Sequence, residues 1–266
     1  MNRFSIFIGG LLVISLLPTT TQAQLSFAVG PGLTQYVGDV NRGSIGNNRM
    51  AFNVEGWYPL TDNWQLKSGL SVYGLRAEDT DLTRLRSFRT TNVEFYSSAM
   101  YYLKRGYLTP FAYAGIGATT SSPRGESPIG NWNLRDVQPE GESVPGLLAM
   151  IPFGIGLEYE ITPVLSVVVD AAARYVLSDQ LDAVSQSVIP REALSPLAIE
   201  YYESLSDGVA QRVAEEGTVA GGNEANNDWY GILSVKLKFT PTKGCINPFN
   251  YGSPAGRRRD KKRYSP

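Results

Sequence analysis

Between residues 26 and 240, apolar and polar positions alternate in eight stretches, and period-two alternation marks a strand with two unlike faces. The stretch 149–161, AMIPFGIGLEYEI, shows it most clearly. Ala149, Ile151, Phe153, Ile155, Leu157, Tyr159 and Ile161 fall on one side; Met150, Pro152, Gly154, Gly156, Glu158 and Glu160 fall on the other. It is longer than the usual strand of about 5–6 residues and long enough for the roughly 9–11 tilted residues that cross a bilayer. Two carboxylates and two glycines suit a crowded, hydrated barrel interior, whereas the bulky face suits lipid. A soluble barrel would turn the apolar side inward.

The other stretches repeat the pattern. In 26–36, Phe27, Val29 and Leu33 oppose Ala28, Gly30, Gly32 and Thr34; in 50–58, Met50, Phe52, Val54 and Tyr58 oppose Asn53, Glu55 and Trp57. In 64–75, Trp64, Leu66, Leu70 and Val72 oppose Gln65, Lys67, Ser71 and Tyr73; in 89–103, Val93, Phe95, Ala99, Tyr101 and Leu103 oppose Asn92, Glu94, Tyr96 and Ser98. The fifth, 108–120, is glycine-rich and not clearly sided. In 165–177 an apolar face from Leu165 to Leu177 opposes Ser166, Asp170 and Arg174; in 229–240, Trp229, Leu233, Val235, Leu237 and Phe239 oppose Tyr230, Ser234, Lys236 and Lys238. The expected fold is all-β: an eight-stranded antiparallel transmembrane barrel.

The inward set contains Glu55, Lys67, Glu94, Glu158, Glu160, Asp170, Arg174, Lys236 and Lys238. Opposite charges in near balance pair across a narrow interior, whereas a single sign would line a selective pore. A plugged barrel is therefore favoured over a channel. Connections after the second, fourth and sixth stretches are short turns, while 37–49, 76–88, 121–148 and 178–228 are long loops. Short turns on one side and long loops on the other are the outer-membrane pattern, which puts the turns and both termini in the periplasm.

Residues 1–23 read as a signal peptide: Arg3 opens it, an apolar run follows to Leu17, and Thr21-Gln22-Ala23 is a small-residue cleavage site. The barrel is expected over 24–240 and a flexible basic tail over 241–266. The chain carries a net charge of −1 and no histidine. The first gives no nucleic-acid signature; the second removes the usual general base and the commonest metal ligand. No catalytic constellation, cofactor site or metal site is expected. The single cysteine, Cys245, has no partner for an internal disulfide.

Two segments carry strong charge. The loop 178–228 holds ten acidic and two basic residues, 10 − 2, net −8. Within it Ser195 and Pro196 start a helix carrying Leu197, Tyr201 and Leu205 at spacing four, and Ser206 caps a second turn set holding Val209 and Val213. An amphipathic helix there is expected to cap the barrel mouth. The tail holds Lys243, Arg257, Arg258, Arg259, Lys261, Lys262 and Arg263 against Asp260, 7 − 1 = +6.

The pieces GLTQYVGDVN (32–41), RSFRTTNVEF (86–95), TPFAYAGIG (109–117), IPFGIGLEYEI (151–161), RYVLSDQLDAVS (174–185) and NDWYGILSVKL (227–237) resemble, in order, the PorG family of Bacteroidota outer-membrane barrels. The chain departs from that pattern at Gln180 and Ala183. The resemblance implies a non-enzymatic anchor or scaffold for a periplasmic assembly in type IX protein secretion, with a PorK-like lipoprotein and a PorN-like ring protein as partners. The family also includes uncharacterised paralogues. The alternative is a structural outer-membrane barrel or small pore with no secretion role. Outer-membrane lipid and lipopolysaccharide are the other expected partners. The candidate partner-binding residues are Lys104 and Arg105 in the second turn, with Arg257, Arg258, Arg259, Lys261, Lys262 and Arg263 in the tail.

Overall fold

In the computed structural model, which describes residues 24–37, 48–78, 87–103, 106–183, 188–220 and 227–241, the eight alternating stretches are the staves of one closed barrel. They are β1 (Ser26–Val37), β2 (Arg49–Pro59), β3 (Trp64–Glu78), β4 (Ser87–Tyr102), β5 (Leu108–Thr120), β8 (Leu147–Thr162), β9 (Leu165–Val176) and β12 (Trp229–Phe239). Every neighbouring pair is antiparallel. The order β3-β2-β1-β12-β9-β8-β5-β4 returns to its start through the β3–β4 pairing. Closure joins the first stave to the last, with Phe27 opposite Phe239 and Val37 opposite Trp229. Closing a sheet pairs both edges of every strand, the condition for β-structure in hydrocarbon.

The alternation sets the two faces as expected. Phe95 is 57% exposed on the outer wall, whereas its neighbour Glu94 is 0% exposed inside. The glycine-rich β5, ambiguous in sequence, turns Thr109, Phe111, Tyr113 and Thr119 inward and Ile116 outward. The outer wall is an apolar belt of Val29, Leu33, Phe52, Leu70, Val72, Phe153, Leu157, Val169 and Leu237, among others. Aromatic rings frame it at both ends: Trp64 lies 4.9 Å from Tyr101 at the turn end, and Trp229 lies 4.7 Å from Tyr175 at the loop end. Rings at two levels around an apolar band are the girdles of a transmembrane barrel. One inward residue is not enclosed: Glu160 keeps the register of the inward series, opposite Ser166, but is exposed because β8 reaches the turn-end rim there, one residue before its pairing with β9 shifts.

Large inward rings are accommodated over glycines on the next strand. Phe111 is in register with Gly156 and Tyr113 with Gly154. A Cβ on Gly154 would lie 2.8 Å from the Tyr113 hydroxyl, and one on Gly156 would overlap the Phe111 ring. Tyr96 lies over Gly69 in the same way, its Cζ 2.7 Å from where a Cβ would stand. In a narrow eight-stranded interior, a neighbouring position without a side chain makes room for a bulky ring at these three sites.

Beyond the staves, the loop end carries more structure than the sequence pattern indicates. The segment 121–148 contains a hairpin, β6 (Arg124–Ser127) and β7 (Gly130–Asn133), followed by a single helical turn, α1 (Leu134–Val137). The hairpin extends β4 upward, pairing Phe88 with Gly125 and Arg89 with Arg124. The span 76–88, expected as a loop, is partly strand: β3 runs on to Glu78 and β4 begins at Ser87. The segment 178–228 contains β10 (Val188–Pro190) paired with β11 (Thr218–Ala220), and between them α2 (Pro196–Leu205) and α3 (Asp207–Glu215).

Both helix starts are those expected. The Ser195 hydroxyl accepts from the Ala198 amide at 3.1 Å, and Ser206 accepts from the Val209 amide at 3.2 Å. The buried seam of α2 is Ala198, Tyr201, Tyr202 and Leu205, whereas Leu197, expected on it, is 39% exposed. Proline at N1 puts Leu197 on the first turn facing out. The i, i+3, i+4, i+7 set then begins one residue later.

Candidate functional site

The barrel interior is filled by paired charges in three layers. In the middle layer Lys67 on β3 and Lys236 on β12 lie between Glu55 on β2 and Asp170 on β9. Lys67 Nζ is 2.7 Å from Asp170 Oδ2 and 3.3 Å from Glu55 Oε1; Lys236 Nζ is 2.7 Å from Glu55 Oε1 and 2.9 Å from Asp170 Oδ2. The remaining carboxylate valences are filled by neutral donors. Trp57 Nε1 donates to Glu55 Oε2 at 2.8 Å, the Tyr96 hydroxyl donates to Glu55 Oε1 at 2.6 Å, and Ser234 donates to Asp170 Oδ1 at 3.1 Å. The Lys67 ammonium also sits 3.8 Å from the centre of the Tyr113 ring.

Toward the loops, Arg174 on β9 donates from Nη2 to Glu94 Oε1 at 2.9 Å, and Tyr230 donates to Glu94 Oε2 at 2.6 Å. Toward the turns, Lys238 on β12 lies 2.8 Å from Glu158 Oε1, and Tyr102 donates to Glu158 Oε2 at 2.6 Å. Four cations thus face four carboxylates. A buried charge is tolerable only when it is both paired and hydrogen-bonded, and these pairs meet both conditions.

Aromatic and aliphatic clusters close the column at both ends. Trp57, Met100, Tyr102, Phe111 and Val168 pack at the turn end. At the loop end Tyr36, Tyr73, Tyr96 and Tyr230 pack with Leu181, Leu194, Tyr201, Tyr202, Val209 and Val213 from the loops. The loops are therefore a lid continuous with the barrel core. Hydrogen bonds tie it down: Ser195 donates to the Val137 carbonyl at 3.2 Å, and Tyr202 to the Pro139 carbonyl at 3.1 Å. The Tyr36 hydroxyl, at the top of β1, meets Asp182 Oδ2 at 2.8 Å and also Asp228. Two acids of the strongly negative loop are in this way spent on internal bonds. Among the described residues no group of three or more acidic or cysteine side chains is arranged to hold a metal ion.

The expected partner-binding residues Lys104, Arg105, Arg257, Arg258, Arg259, Lys261, Lys262 and Arg263 lie outside the described residues, as do Cys245 and the signal segment 1–23. Their frame is described. Asp62 and Asn63 are exposed in the first turn, and Pro163 is exposed in the third. The Thr240 amide donates to Val164 at 2.9 Å, so the chain passes Pro241 at the turn end of the barrel. A feature absent from the sequence reading is a row of arginines on the outer wall at the loop end: Arg76 is in register with Arg89, and Arg89 with Arg124. Two of the three fall in spans that lack alternation, so only strand pairing brings them together.

No protein-family model matches the chain, and no curated protein matches it. Solved structures do resemble it. The attachment invasion locus protein Ail of Yersinia pestis is 13% identical, with a TM-score of 0.40 over 82% of this chain and 100% of that one. A major outer membrane protein of Thermus thermophilus is 14% identical, with a TM-score of 0.42 over 82% and 99%. The outer membrane protease OmpT of Escherichia coli is 10% identical, with a TM-score of 0.34 over 85% and 99%. This is likeness of fold alone. Fold alone does not decide between enzyme and non-enzyme.

Proposed function

We propose that the chain is an outer-membrane barrel, turn end toward the periplasm, that acts as a non-enzymatic anchor for a periplasmic protein assembly, as a PorG-like component of type IX secretion. The observation that carries this reading is the neutral, hydrogen-bonded charge column from Glu158 to Glu94. A lumen filled in this way offers no lined path for a solute, which leaves the two ends and the outer wall to do the work. The lidded loop end is self-packed, whereas the turn end carries the exposed first and third turns and is where the chain continues toward the +6 tail. A cluster of that charge speeds encounter with an acidic partner and makes the contact salt-sensitive, while rigid turns set its geometry. The PorG identity and the PorK-like and PorN-like partners rest on the sequence resemblance.

Deletion of residues 241–266 tests the reading. The truncated protein should remain a heat-modifiable barrel in the outer membrane but recover less of a PorK-like lipoprotein from mild detergent. Changing Lys104 and Arg105 should lower recovery further, and secretion of C-terminally signalled cargo should fall in parallel. A deletion strain that secretes normally, together with a purified barrel that brings down no ring protein, would leave a structural barrel without secretion duty as the better account.

A further inference from the structure

The arginine row is built against an electrostatic cost. Residues directly opposite across antiparallel strands have neighbouring side chains, and like charges there destabilise the pairing. Arg76–Arg89 and Arg89–Arg124 are two such pairs in succession. A fourth cation, Arg49, flanks them, its Cβ 3.2 Å from the place a Cβ on Gly74 would occupy. Arg49, Arg89 and Arg124 line one cleft of about 460 Å³ with Gly74, Thr91 and Ser122. Nearby carboxylates only partly compensate. Arg76 pairs with Glu78 and, at 3.6 Å, with Glu126; Arg89 pairs with Glu126 at 3.3 Å. Arg49 and Arg124 hold no ion pair among the described residues. Among the described residues, four cations against two anions leave the patch at 4 − 2 = +2.

Its height on the wall is informative. Arg76 continues the outward series Trp64, Leu66, Leu70, Val72 of β3, and Arg89 continues Val93 and Phe95 of β4. From Trp64 to Arg76 is 76 − 64 = 12 residues. At about 3.3 Å per residue that is about 40 Å along the strand. Projected at a tilt of about 40° it is about 30 Å, the thickness of a hydrocarbon core. The row therefore stands at the opposite interface from the Trp64 girdle, where headgroups begin, with the apolar wall starting below Gly74 and Thr91 at Val72 and Val93.

We propose that this cleft binds the phosphate groups of a phosphorylated glycolipid of the outer leaflet, whose acyl chains lie along the wall below, on Val72, Val93 and Phe95. Guanidinium groups hold phosphate oxygens bidentately, and arginine stems lie along apolar surface while their heads reach the interface. Bound phosphate, at about −1.5 to −2 per monoester near neutral pH, would offset the +2 and relieve the repulsion between registered arginines. The assignment of leaflet rests on the orientation given under Proposed function.

The test is native mass spectrometry of the detergent-purified full chain with bisphosphorylated lipid A, the same lipid after enzymatic dephosphorylation, and inorganic phosphate. Wild type should retain the bisphosphorylated lipid at least tenfold better than the dephosphorylated one, and millimolar inorganic phosphate should not displace it. Arg49→Gln with Arg124→Gln should lose that preference while keeping heat-modifiable folding, since neither side chain holds an ion pair among the described residues. Equal retention of the two lipids, an unaffected double variant, or displacement by inorganic phosphate would each overturn the site. The detergent measurement carries no orientation, so its failure leaves the topology intact. Loop labelling that needs an opened outer membrane would instead overturn the orientation, and the leaflet assignment with it.

Discussion

Lys236→Met probes the middle of the charge column. Methionine keeps the length of the side chain and removes an ammonium that lies 2.7 Å from Glu55 and 2.9 Å from Asp170. At an effective dielectric of about 20, one contact near 2.8 Å is worth about 6 kcal/mol, and two are lost. The desolvation that the lysine no longer incurs offsets part of this, by several kcal/mol. Lys67 is then left to serve two carboxylates, so a net buried charge of −1 remains. The expected cost is about 3–5 kcal/mol. Adding Glu55→Gln removes the surplus charge and leaves an amide oxygen for one of the two donors, Trp57 or Tyr96, which reach different carboxylate oxygens, so the double variant should recover part of the loss rather than add to it. The assay is the urea dependence of folding into phospholipid vesicles, read by tryptophan fluorescence and heat-modifiable mobility. The reasoning fails if Lys236→Met costs less than about 1 kcal/mol, or if the double variant equals the sum of the two singles.

Further outcomes follow from the same geometry. Val169→Arg, on the outer wall near mid-height opposite Val235, should cost about 2–4 kcal/mol in vesicle refolding, whereas Val169→Leu should be near neutral. Gly156→Val drives a side chain into the Phe111 ring and should cost about 1–3 kcal/mol, part of which Phe111→Ala in the same chain restores. Ser195→Ala and Ser206→Ala should each weaken the lid by about 0.5–2 kcal/mol, seen as faster proteolysis within 188–220 with the barrel band unchanged. A protease site placed in 195–215 should be cut on intact cells; cleavage only after the outer membrane is opened would reverse the topology.

The barrel itself was legible because period two leaves a mark in every stave: a single parity separates Glu94 from Phe95 and Asp170 from Val169. Helix caps were legible for a similar reason, since Ser195 and Ser206 act within three residues of themselves. Partner choice was not. Alternation says that Lys236 points inward, but its pairing with Glu55, 181 positions away, depends on strand stagger, which no local pattern encodes. The β6–β7 hairpin escaped because four-residue strands are too short to show a period, and the arginine row escaped with it. The exposure of Glu160 was not legible because parity carries no information about where a strand reaches the rim.

The joining of β1 to β12 has a consequence for assembly. Of the four interior cations, Lys236 and Lys238 reside on the last stave, whereas all four carboxylates, Glu55, Glu94, Glu158 and Asp170, reside on earlier ones. A chain zipped only as far as β9 would hold Lys67 and Arg174 against four acids, 2 − 4 = −2. Neutrality of the lumen thus belongs to the complete circle alone. An unfinished barrel carries its own electrostatic penalty in lipid, and the last stave is drawn in by carboxylates still short of counter-ions. The order of charges along the chain thus ties a neutral lumen, the form that lipid tolerates, to the closed barrel.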